Sequence, residues 1–223
     1  MVKKFATASA KILRRTLFLV LLSSFLFACS SQPTPQIQIV TINYSPFTEL
    51  WIDEVYACAN DLSLALKISS EDPDIYVQIG EPEILLDHAY QIGEEEIVVV
   101  VNRQSEIQNL SLNEIQSIFA NGENVWVYAE REDMQKVFDQ FVMEGRSASS
   151  FARIAPNPRV MLEVLKFESN AIGFIPKSFM DESLKEIYSA GSFPVLAITK
   201  SEPQWAVKSL LGCLQKKLKV NCK

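Results

Sequence analysis

The stretch VWVYAEREDMQKVF, residues 125–138, places charged side chains at a junction between two local patterns. Its first half alternates apolar and polar residues as a strand does, and its second half carries helix-forming residues. Arg131, Glu132 and Asp133 stand where the two patterns meet. A helix that follows a strand in an open α/β sheet offers free backbone N–H groups and a partial positive charge. An arginine there can grip an anion through its fork of donors, whereas acids complement the helix dipole or hold a cation.

Other side chains with catalytic potential stand in patterns that do not indicate an enzyme. His88 is the single histidine of the chain and lies in the polar stretch LLDHAYQ, so a histidine-based metal site is not expected. Glu94 and Glu95 could exchange protons as a pair, but a run such as GEEE is more typical of a solvated charged segment. No nucleophile elbow and no cysteine pair with metal-ligand spacing is present. The sequence therefore predicts a protein that is not an enzyme and uses neither a metal nor another cofactor.

The four cysteines fall into two groups with different expected chemistry. Cys29 follows a signal-like stretch, because the first 28 residues hold five basic residues and no acid and end in the apolar run TLFLVLLSSFLFA. That run is shorter than the about 20 apolar residues that a membrane-spanning helix needs. Three cysteines remain, which allows at most one disulfide. We expect Cys213 and Cys222, which flank CLQKKLKVNC, to form it, and Cys58 to be a buried small hydrophobic residue.

The end of the apolar run, LFAC, resembles the lipobox of bacterial lipoproteins. An aliphatic residue stands three positions before Cys29 and a small one directly before it, while Phe27 is bulkier than is usual between them. The resemblance implies diacylglycerol on the thiol of Cys29, cleavage before it and acylation of the new amine, which together anchor the protein in a membrane. The alternative is an ordinary secretory signal. Residues 1–28 are thus a predicted signal peptide, and 29–36, with the polar SSQPTPQ, a tether.

The acidity of the predicted mature chain excludes some partners. The full chain has 21 basic and 27 acidic residues, for a net charge of −6. Loss of the signal peptide leaves 16 basic against 27 acidic residues, for a net charge of −11. Such a surface repels nucleic acid and anionic lipid, so contact with the bilayer is expected through Cys29 only. We expect a monomer in the cell envelope, lipid-anchored at the extracytoplasmic face of a bacterial membrane.

Strand and helix patterns alternate along the rest of the chain, which predicts an α/β fold with a largely parallel sheet flanked by helices. The predicted strands are 37–43, 74–80, 96–103, 124–130, 171–176, 184–188 and 193–199. The predicted helices are 45–66, 111–120, 133–144, 157–168 and 202–219. Ser45 is the expected N-cap of the first helix, and Ser111 with Glu114 forms a capping box at the second. Ser45 and Asp133 therefore each stand at the start of a helix that follows a strand.

This order of elements resembles the substrate-binding proteins of bacterial ABC importers, in particular the phosphate-binding type, which has the type 2 periplasmic-binding-protein fold. The stretches that carry the resemblance are DPDIYVQIGEP, IVVVVNRQSEIQNLSLNEIQSIFANGENVW, VYAEREDMQKVFDQFV and ESNAIGFIP. The resemblance implies two α/β lobes that close on a solute around two crossing segments. Lobe one would hold 37–100 with 190–223, and lobe two 103–187, with crossings near VVNR and SAGSFP.

The resemblance also implies a solute site at the turn quoted first, and there the chain departs from the phosphate-binding pattern. Phosphate-binding members carry Arg followed by Ser-Gly-Thr at this turn. The chain keeps Arg131 but continues with Glu132, Asp133 and Met134. Two carboxylates in place of two hydroxyls would repel phosphate, at about 1 to 4 kcal/mol for each close contact at intermediate dielectric.

The other lobe would contribute two short segments to the same site. NYSPF supplies Tyr44 and Ser45 at the start of the first helix, and the turn after DIYVQIG supplies Glu81. The mouth of the site would then present one base, Arg131, and three acids.

The sequence favours a lipid-anchored solute-binding protein that serves an ABC importer, with a permease as its partner and a small solute that is not clearly phosphate. Two questions stay open at this point. The acids of the turn either complement the helix dipole and bind nothing or grip a cationic or amino-bearing solute. The alternative function is a structural or interaction lipoprotein that keeps the fold, with a degenerate ligand site, since fold analogy does not decide function.

Overall fold

Eight strands and five α-helices make up the part of the chain that the computed structural model describes, residues 37–82 and 88–221. The strands are β1 (Ile39–Tyr44), β2 (Ala65–Ile68), β3 (Ile75–Ile79), β4 (His88–Asn102), β5 (Trp126–Val127), β6 (Arg153–Ile154), β7 (Ile172–Pro176) and β8 (Leu184–Thr199). The α-helices are α1 (Ile52–Asp61), α2 (Leu112–Asn121), α3 (Asp133–Phe141), α4 (Pro158–Phe167) and α5 (Trp205–Asn221), and 3₁₀ helices span Pro46–Trp51 and Lys177–Phe179. The predicted signal peptide, the tether with Cys29, and Cys222 lie outside the described residues.

A six-stranded mixed sheet in the order β2-β1-β3-β8-β4-β7 organises the fold. β1 pairs in parallel with β2 and β3, whereas β8 pairs antiparallel with β3 and β4, and β7 antiparallel with β4. β5 and β6 form a small parallel sheet, which the Val125–Ile172 bridge ties to β7. The predicted α/β class is therefore confirmed. Parallel pairing occurs among β1–β3, within the small sheet and at the Val125–Ile172 bridge, whereas the two longest strands lie antiparallel to each other.

Strands β4 and β8 are longer than predicted, at 15 and 16 residues, and run through both halves of the sheet. The sequence predicts two separate strands, 184–188 and 193–199, where β8 is continuous. Register shifts interrupt their pairing near Ile97 and Val98, opposite Gly191 and Ser189. Gly191 has φ +103°, a conformation that glycine adopts without strain. Such bulges bend and twist a strand pair. The residues from 37 onwards form one compact unit, so the division into two lobes stays a prediction. If the lobes move, the bulges of β4 and β8 are where we expect the hinge.

The core lies on both faces of the sheet, as the run of valines in β4 predicts. Ile97–Val101 are all fully buried. Helices α1 and α5 pack on each other and α5 on β4, while α4 packs on β7 and β4. Because helices cover both faces, successive residues of β4 are buried alike instead of alternating. No helix among the described residues has the length and apolar character that a membrane span requires.

The disulfide joins α1 to α5 and does not close the C-terminal tail. Cys58 bonds Cys213, with their Cα atoms 5.9 Å apart at a sequence separation of 155. The predicted pairing of Cys213 with Cys222 is therefore wrong, and Cys58 is not a free thiol. A cysteine forms one disulfide, so the bond of Cys213 to Cys58 excludes the predicted pairing.

The first predicted helix ends earlier than expected. A 3₁₀ turn leads from the N-cap Ser45 into α1, which ends at Asp61. Ser63 then takes φ +55°, and β2 begins at Ala65. The apolar residues of LSLAL fit a helix and a strand equally well over so short a span, which is why the sequence did not predict β2. The capping box of Ser111 and Glu114 is present as predicted.

The GEEE segment is not a fully solvated charged run, contrary to expectation. The carboxylate of Glu95 is buried and accepts hydrogen bonds from Trp51 Nε1 at 2.9 Å and from the Ser178 N–H at 3.1 Å. Glu96 pairs with Lys177 at 2.8 Å. Glu95 and Glu96 therefore both have structural partners.

Candidate functional site

A cleft of about 780 Å³ lies between the end of β3, part of β8 and helix α3. Its charged lining residues are Glu81, Arg131, Glu132, Asp133 and Lys136, and its aromatic ones are Tyr76, Phe141 and Phe193. Four of the six residues predicted for the solute site thus line one cleft. Tyr44 and Ser45 are not among its lining residues. Tyr44 is half-buried against the core, and Ser45 reaches the site through Asp133.

The carboxylate of Asp133 joins α3 to the ends of β1 and β3. The Ser45 hydroxyl donates to Oδ1 at 2.7 Å, and the Ile79 N–H donates to Oδ2 at 2.8 Å. The Met134 N–H, in the first turn of α3, donates to Oδ1 at 2.9 Å. Hydroxyls and backbone N–H groups at a helix start are the donors that proteins use for oxyanions, and here they surround a carboxylate of the same chain.

The parallel pairing of β1 with β3 brings two of these donors to one edge of the sheet. Tyr44 pairs with Val77, so Ser45 and Ile79 both follow the end of that pairing. Ser45 is 1% exposed, and its own N–H donates to the Val77 carbonyl at 2.8 Å. Thr48 supports the turn, because its hydroxyl donates to the carbonyls of Ser45 and Val77. The start of the 3₁₀ helix is therefore held firmly against β3.

Gly80 lets α3 come close enough to β3 for Asp133 to reach these donors. It has φ +78°, and a Cβ built on it would lie 2.5 Å from Cγ2 of Val137 on α3. Any other residue would meet both backbone strain and this side chain. The sequence QIGEP, which places a glycine directly after β3, already contains this signal.

An aromatic contact packs beside the Asp133 bonds. The rings of Phe47, two residues after Ser45, and Tyr128, five before Asp133, meet edge to face at 4.6 Å. The Tyr128 hydroxyl donates to the Phe174 carbonyl, and the Tyr128 N–H to the side chain of Gln135 on α3. Burial holds the pKa of Tyr128 well above its usual value. These contacts fix the turn before α3 and thereby the position of Asp133.

Negative charge prevails where Asp133 meets the cleft. Burial raises the pKa of Asp133, and the neighbouring Glu132 adds to this effect, while the bonds from Ile79, Ser45 and Met134 oppose it. The pKa of Tyr76 is also raised, by burial first and then by the charges of Asp133 and Glu132. Burial is the main cause of both shifts, and the neighbouring carboxylates add a smaller part.

Arg131 stands apart from the Asp133 carboxylate. Its side chain is 88% exposed, and its Nε lies 3.4 Å from an oxygen of Glu132. Exposed ion pairs of this length contribute little. Arg131, the basic residue of the phosphate-binding pattern, is thus exposed to solvent and lies next to the carboxylate of Glu132.

Comparison with solved structures identifies the architecture. A phosphate ABC transporter substrate-binding protein with bound phosphate, from Clostridium perfringens, matches with a TM-score of 0.70 at 16% identity, over 79% of this chain and 93% of that one. An ABC-type phosphate transport receptor from Vibrio cholerae matches with a TM-score of 0.62 at 16% identity, over 82% and 97%. The chain has the type 2 periplasmic-binding-protein-like fold.

That fold serves more than one purpose among the similar structures. The reduced regulatory domain of OxyR2 from Vibrio vulnificus matches with a TM-score of 0.64 at 11% identity, over 84% of this chain and 99% of that one. No family model and no curated protein matches the chain. At these identities the periplasmic-binding-protein-like fold is established, and the solute has to be argued from the cleft itself.

Sequence reasoning missed part of the cleft wall. Tyr76 and Gln78 line it from β3, where they alternate with the buried Ile75, Val77 and Ile79. The alternation of DIYVQIG contained that signal. Phe141 at the end of α3 and Phe193 on β8 form a further aromatic pair, with ring centroids 5.0 Å apart. That contact depends on tertiary packing, and no local pattern announces it. Among the described residues no group of three acidic, cysteine or histidine side chains is arranged for a metal ion.

Proposed function

We propose that the protein is a lipid-anchored binding protein of the cell envelope whose cleft takes a small solute with a positively charged or amino group, for delivery to an ABC importer. The periplasmic-binding-protein-like fold supports a solute-binding domain. The LFAC sequence supports the anchor at Cys29. The disulfide between Cys58 and Cys213 supports an extracytoplasmic location, because disulfides persist in oxidising compartments.

The observation on which the choice of solute rests is the position of the Asp133 carboxylate. It takes up the Ser45 hydroxyl and the Ile79 N–H, which an oxyanion would need. Phosphate at this place would meet a carboxylate instead of donors, with a repulsion of about 1 to 4 kcal/mol per close contact. The cleft therefore favours a solute of the opposite charge.

The rest of the cleft supports a cationic or amino-bearing solute. The cleft lining has three acids, Glu81, Glu132 and Asp133, against two bases, because Lys136 lines it beside Arg131. Arg131 lies 3.4 Å from an oxygen of Glu132. Aromatic faces attract cations, and Tyr76 lines the same cleft. A small ammonium or amine would thus meet both acceptors and an aromatic wall.

Delivery would use a hinge between the two predicted lobes. Lobe one (37–100 with 190–223) and lobe two (103–187) would move relative to each other at the bulges of β4 and β8. A permease would bind the conformation in which the two lobes have closed on the solute. We infer the permease from the resemblance to importer components, and it is part of the proposal.

Thermal unfolding with a panel of solutes tests the proposal. Basic amino acids, polyamines and quaternary ammonium compounds are compared with phosphate and sulfate at equal ionic strength. A solute at 100 times its dissociation constant adds about 2.7 kcal/mol to the unfolding free energy. We expect a cationic compound to give such a shift with the wild type. Glu71→Gln is the matched control, because Glu71 is an exposed acid outside the cleft, and it should show the same shift as the wild type. The shift should shrink in Glu81→Gln and Glu132→Gln. Stabilisation by phosphate and by no cation would contradict the proposal.

A second function is favoured by a specific observation. The Asp133 bonds connect α3 to β1 and β3 through groups of the chain itself. A structural or interaction lipoprotein with a degenerate site would have the same contact. A panel in which no compound shifts unfolding would favour this second function over transport.

A further inference from the structure

Three hydrogen-bond donors from separate elements converge on one carboxylate. The Ser45 hydroxyl follows β1 and the Ile79 N–H ends β3, while the Met134 N–H lies in the first turn of α3, next to Asp133 itself. The first two are 88 and 54 residues from Asp133 in sequence. We propose that these donors form an oxyanion-binding site for a carboxylate, and that the chain fills this site with Asp133 as an internal ligand. The proposal concerns contacts within the chain and does not depend on the solute proposed above.

The donors are arranged as a built site. The Ser45 oxygen accepts from the Phe47 N–H at 3.3 Å, which leaves its hydroxyl hydrogen to be donated to Asp133. The neighbouring Gly80 N–H donates to the Pro194 carbonyl of β8, whereas the Ile79 N–H donates to Asp133. The pairing of β1 with β3 ends at Val77, so the Ile79 N–H has no carbonyl of β1 to donate to. The carboxylate of Asp133 accepts that hydrogen bond instead.

Both oxygens of Asp133 are used, and they face different elements. Oδ1 takes the Ser45 hydroxyl and the Met134 N–H, and Oδ2 takes the Ile79 N–H. A carboxylate with this many donors is bound as a free anion would be. Without it, the buried Ser45 hydroxyl and the Ile79 N–H would lose their partner, which is costly in a protein interior.

The internal ligand has a mechanical consequence. Asp133 belongs to the predicted lobe two, and Ser45 and Ile79 belong to the predicted lobe one. The contact therefore ties the two lobes together at the cleft wall, next to the ring contact of Phe47 with Tyr128. The cleft of about 780 Å³ lies beside this tie and is lined by Asp133.

Chemical rescue tests the proposal directly. Asp133→Ala removes the carboxylate, and formate is a carboxylate small enough to replace it. We expect Asp133→Ala to unfold at a lower temperature than the wild type, and sodium formate to raise its midpoint by at least about 3 °C more than sodium chloride at equal concentration.

Asp139→Ala is the matched control, because Asp139 lies on the same helix and bonds Gln135 four residues away instead of a distant strand. The wild type and Asp139→Ala should respond equally to both salts. A formate shift in these two as large as in Asp133→Ala, or no formate-specific shift in Asp133→Ala, would overturn the proposal.

A double-mutant cycle keeps the proposal testable if Asp133→Ala does not fold. Ser45→Ala, Asp133→Asn and the double variant are unfolded with urea. If the hydroxyl and the carboxylate act as one unit, the double variant is less destabilised than the two single variants together predict. Its unfolding equilibrium constant should be at least about three-fold smaller than the product of the two single effects gives. Purely multiplicative effects would overturn the proposal.

Discussion

Ser45 and Asp133 are 88 residues apart in the chain, and the hydroxyl of the first donates to the carboxylate of the second at 2.7 Å. This bond crosses from the end of β1 to the start of α3, at the place where the phosphate-binding pattern has a free donor set. The acid of the turn therefore has a structural partner of its own and does more than complement the dipole of its helix.

The pH dependence of stability should change when Asp133 is replaced. The pKa of Asp133 in the folded protein lies above its ordinary value, chiefly because of burial. Between the unfolded and the folded pKa the folded state binds more protons, so the contribution of Asp133 to stability falls as pH rises through that window. The protonated form can still be held, since the Ser45 hydroxyl can accept where it now donates.

Asp133→Asn removes this titration and serves as the reference. We expect the unfolding free energy of the wild type, measured relative to Asp133→Asn by urea titration, to be larger at pH 4.5 than at pH 7. A relative stability that is constant, or that falls toward pH 4.5, would contradict the assigned direction of the pKa.

The disulfide prediction concerns Cys58 and Cys213. Their bond closes a long loop and links α1 to α5, so Cys58→Ser or Cys213→Ser should lower the unfolding free energy by about 2 to 5 kcal/mol. Urea unfolding measures this loss, and peptide mapping without reductant should recover the 58–213 pair. Cys222→Ser is the control and should leave both results unchanged. A recovered 213–222 peptide would contradict the fold.

The lipidation prediction concerns Cys29. Cys29→Ser should leave the protein without lipid and move it from the membrane fraction to the soluble fraction, because the acyl chains supply the anchoring free energy. Cell fractionation and incorporation of a labelled fatty acid measure the two effects. Cys58→Ser is the control and should keep the label. A wild type that incorporates no fatty acid, together with a variant that stays membrane-bound, would refute the lipoprotein interpretation.

Local patterns predicted much of the fold. The capping box of Ser111 and the buried valine run of β4 depend on residues close in sequence, and both are present. Glu81, Arg131, Glu132 and Asp133 were placed at one site, and they line one cleft. That placement follows from the resemblance to substrate-binding proteins, and the role of these residues in binding a solute stays a prediction.

What the sequence could not predict depends on tertiary contact. Cys58 meets Cys213 only because α1 packs on α5, and their spacing gives no hint of it. The local pattern indicates a break in β8 at SAGS, residues 189–192. The strand is nevertheless continuous, because it pairs with β4 along its whole length. The engagement of Asp133 by Ser45 and Ile79 likewise requires knowing how closely α3 approaches β3, which the Val137 contact at Gly80 sets.

The structure also sharpens the design of a phosphate-binding variant. Replacing Glu132, Asp133 and Met134 with Ser, Gly and Thr would restore the phosphate pattern, but Met134 is 0% exposed. A hydroxyl residue there would leave a cavity and cost stability by about 2 to 5 kcal/mol. Glu132→Ser with Asp133→Gly keeps Met134 and frees the Ser45 hydroxyl and the Ile79 N–H.

Calorimetric titration of inorganic phosphate at low salt into the wild type and into Glu132→Ser/Asp133→Gly tests the central claim most directly. The wild type should bind phosphate no tighter than about 1 mM, which is no better than about −4 kcal/mol, because Asp133 occupies the donors. The double variant should bind it at least about ten-fold more tightly, while Glu132→Ser alone should bind it about as weakly as the wild type. Micromolar phosphate binding by the wild type would contradict the claim, because the Asp133 carboxylate would then not block the oxyanion site.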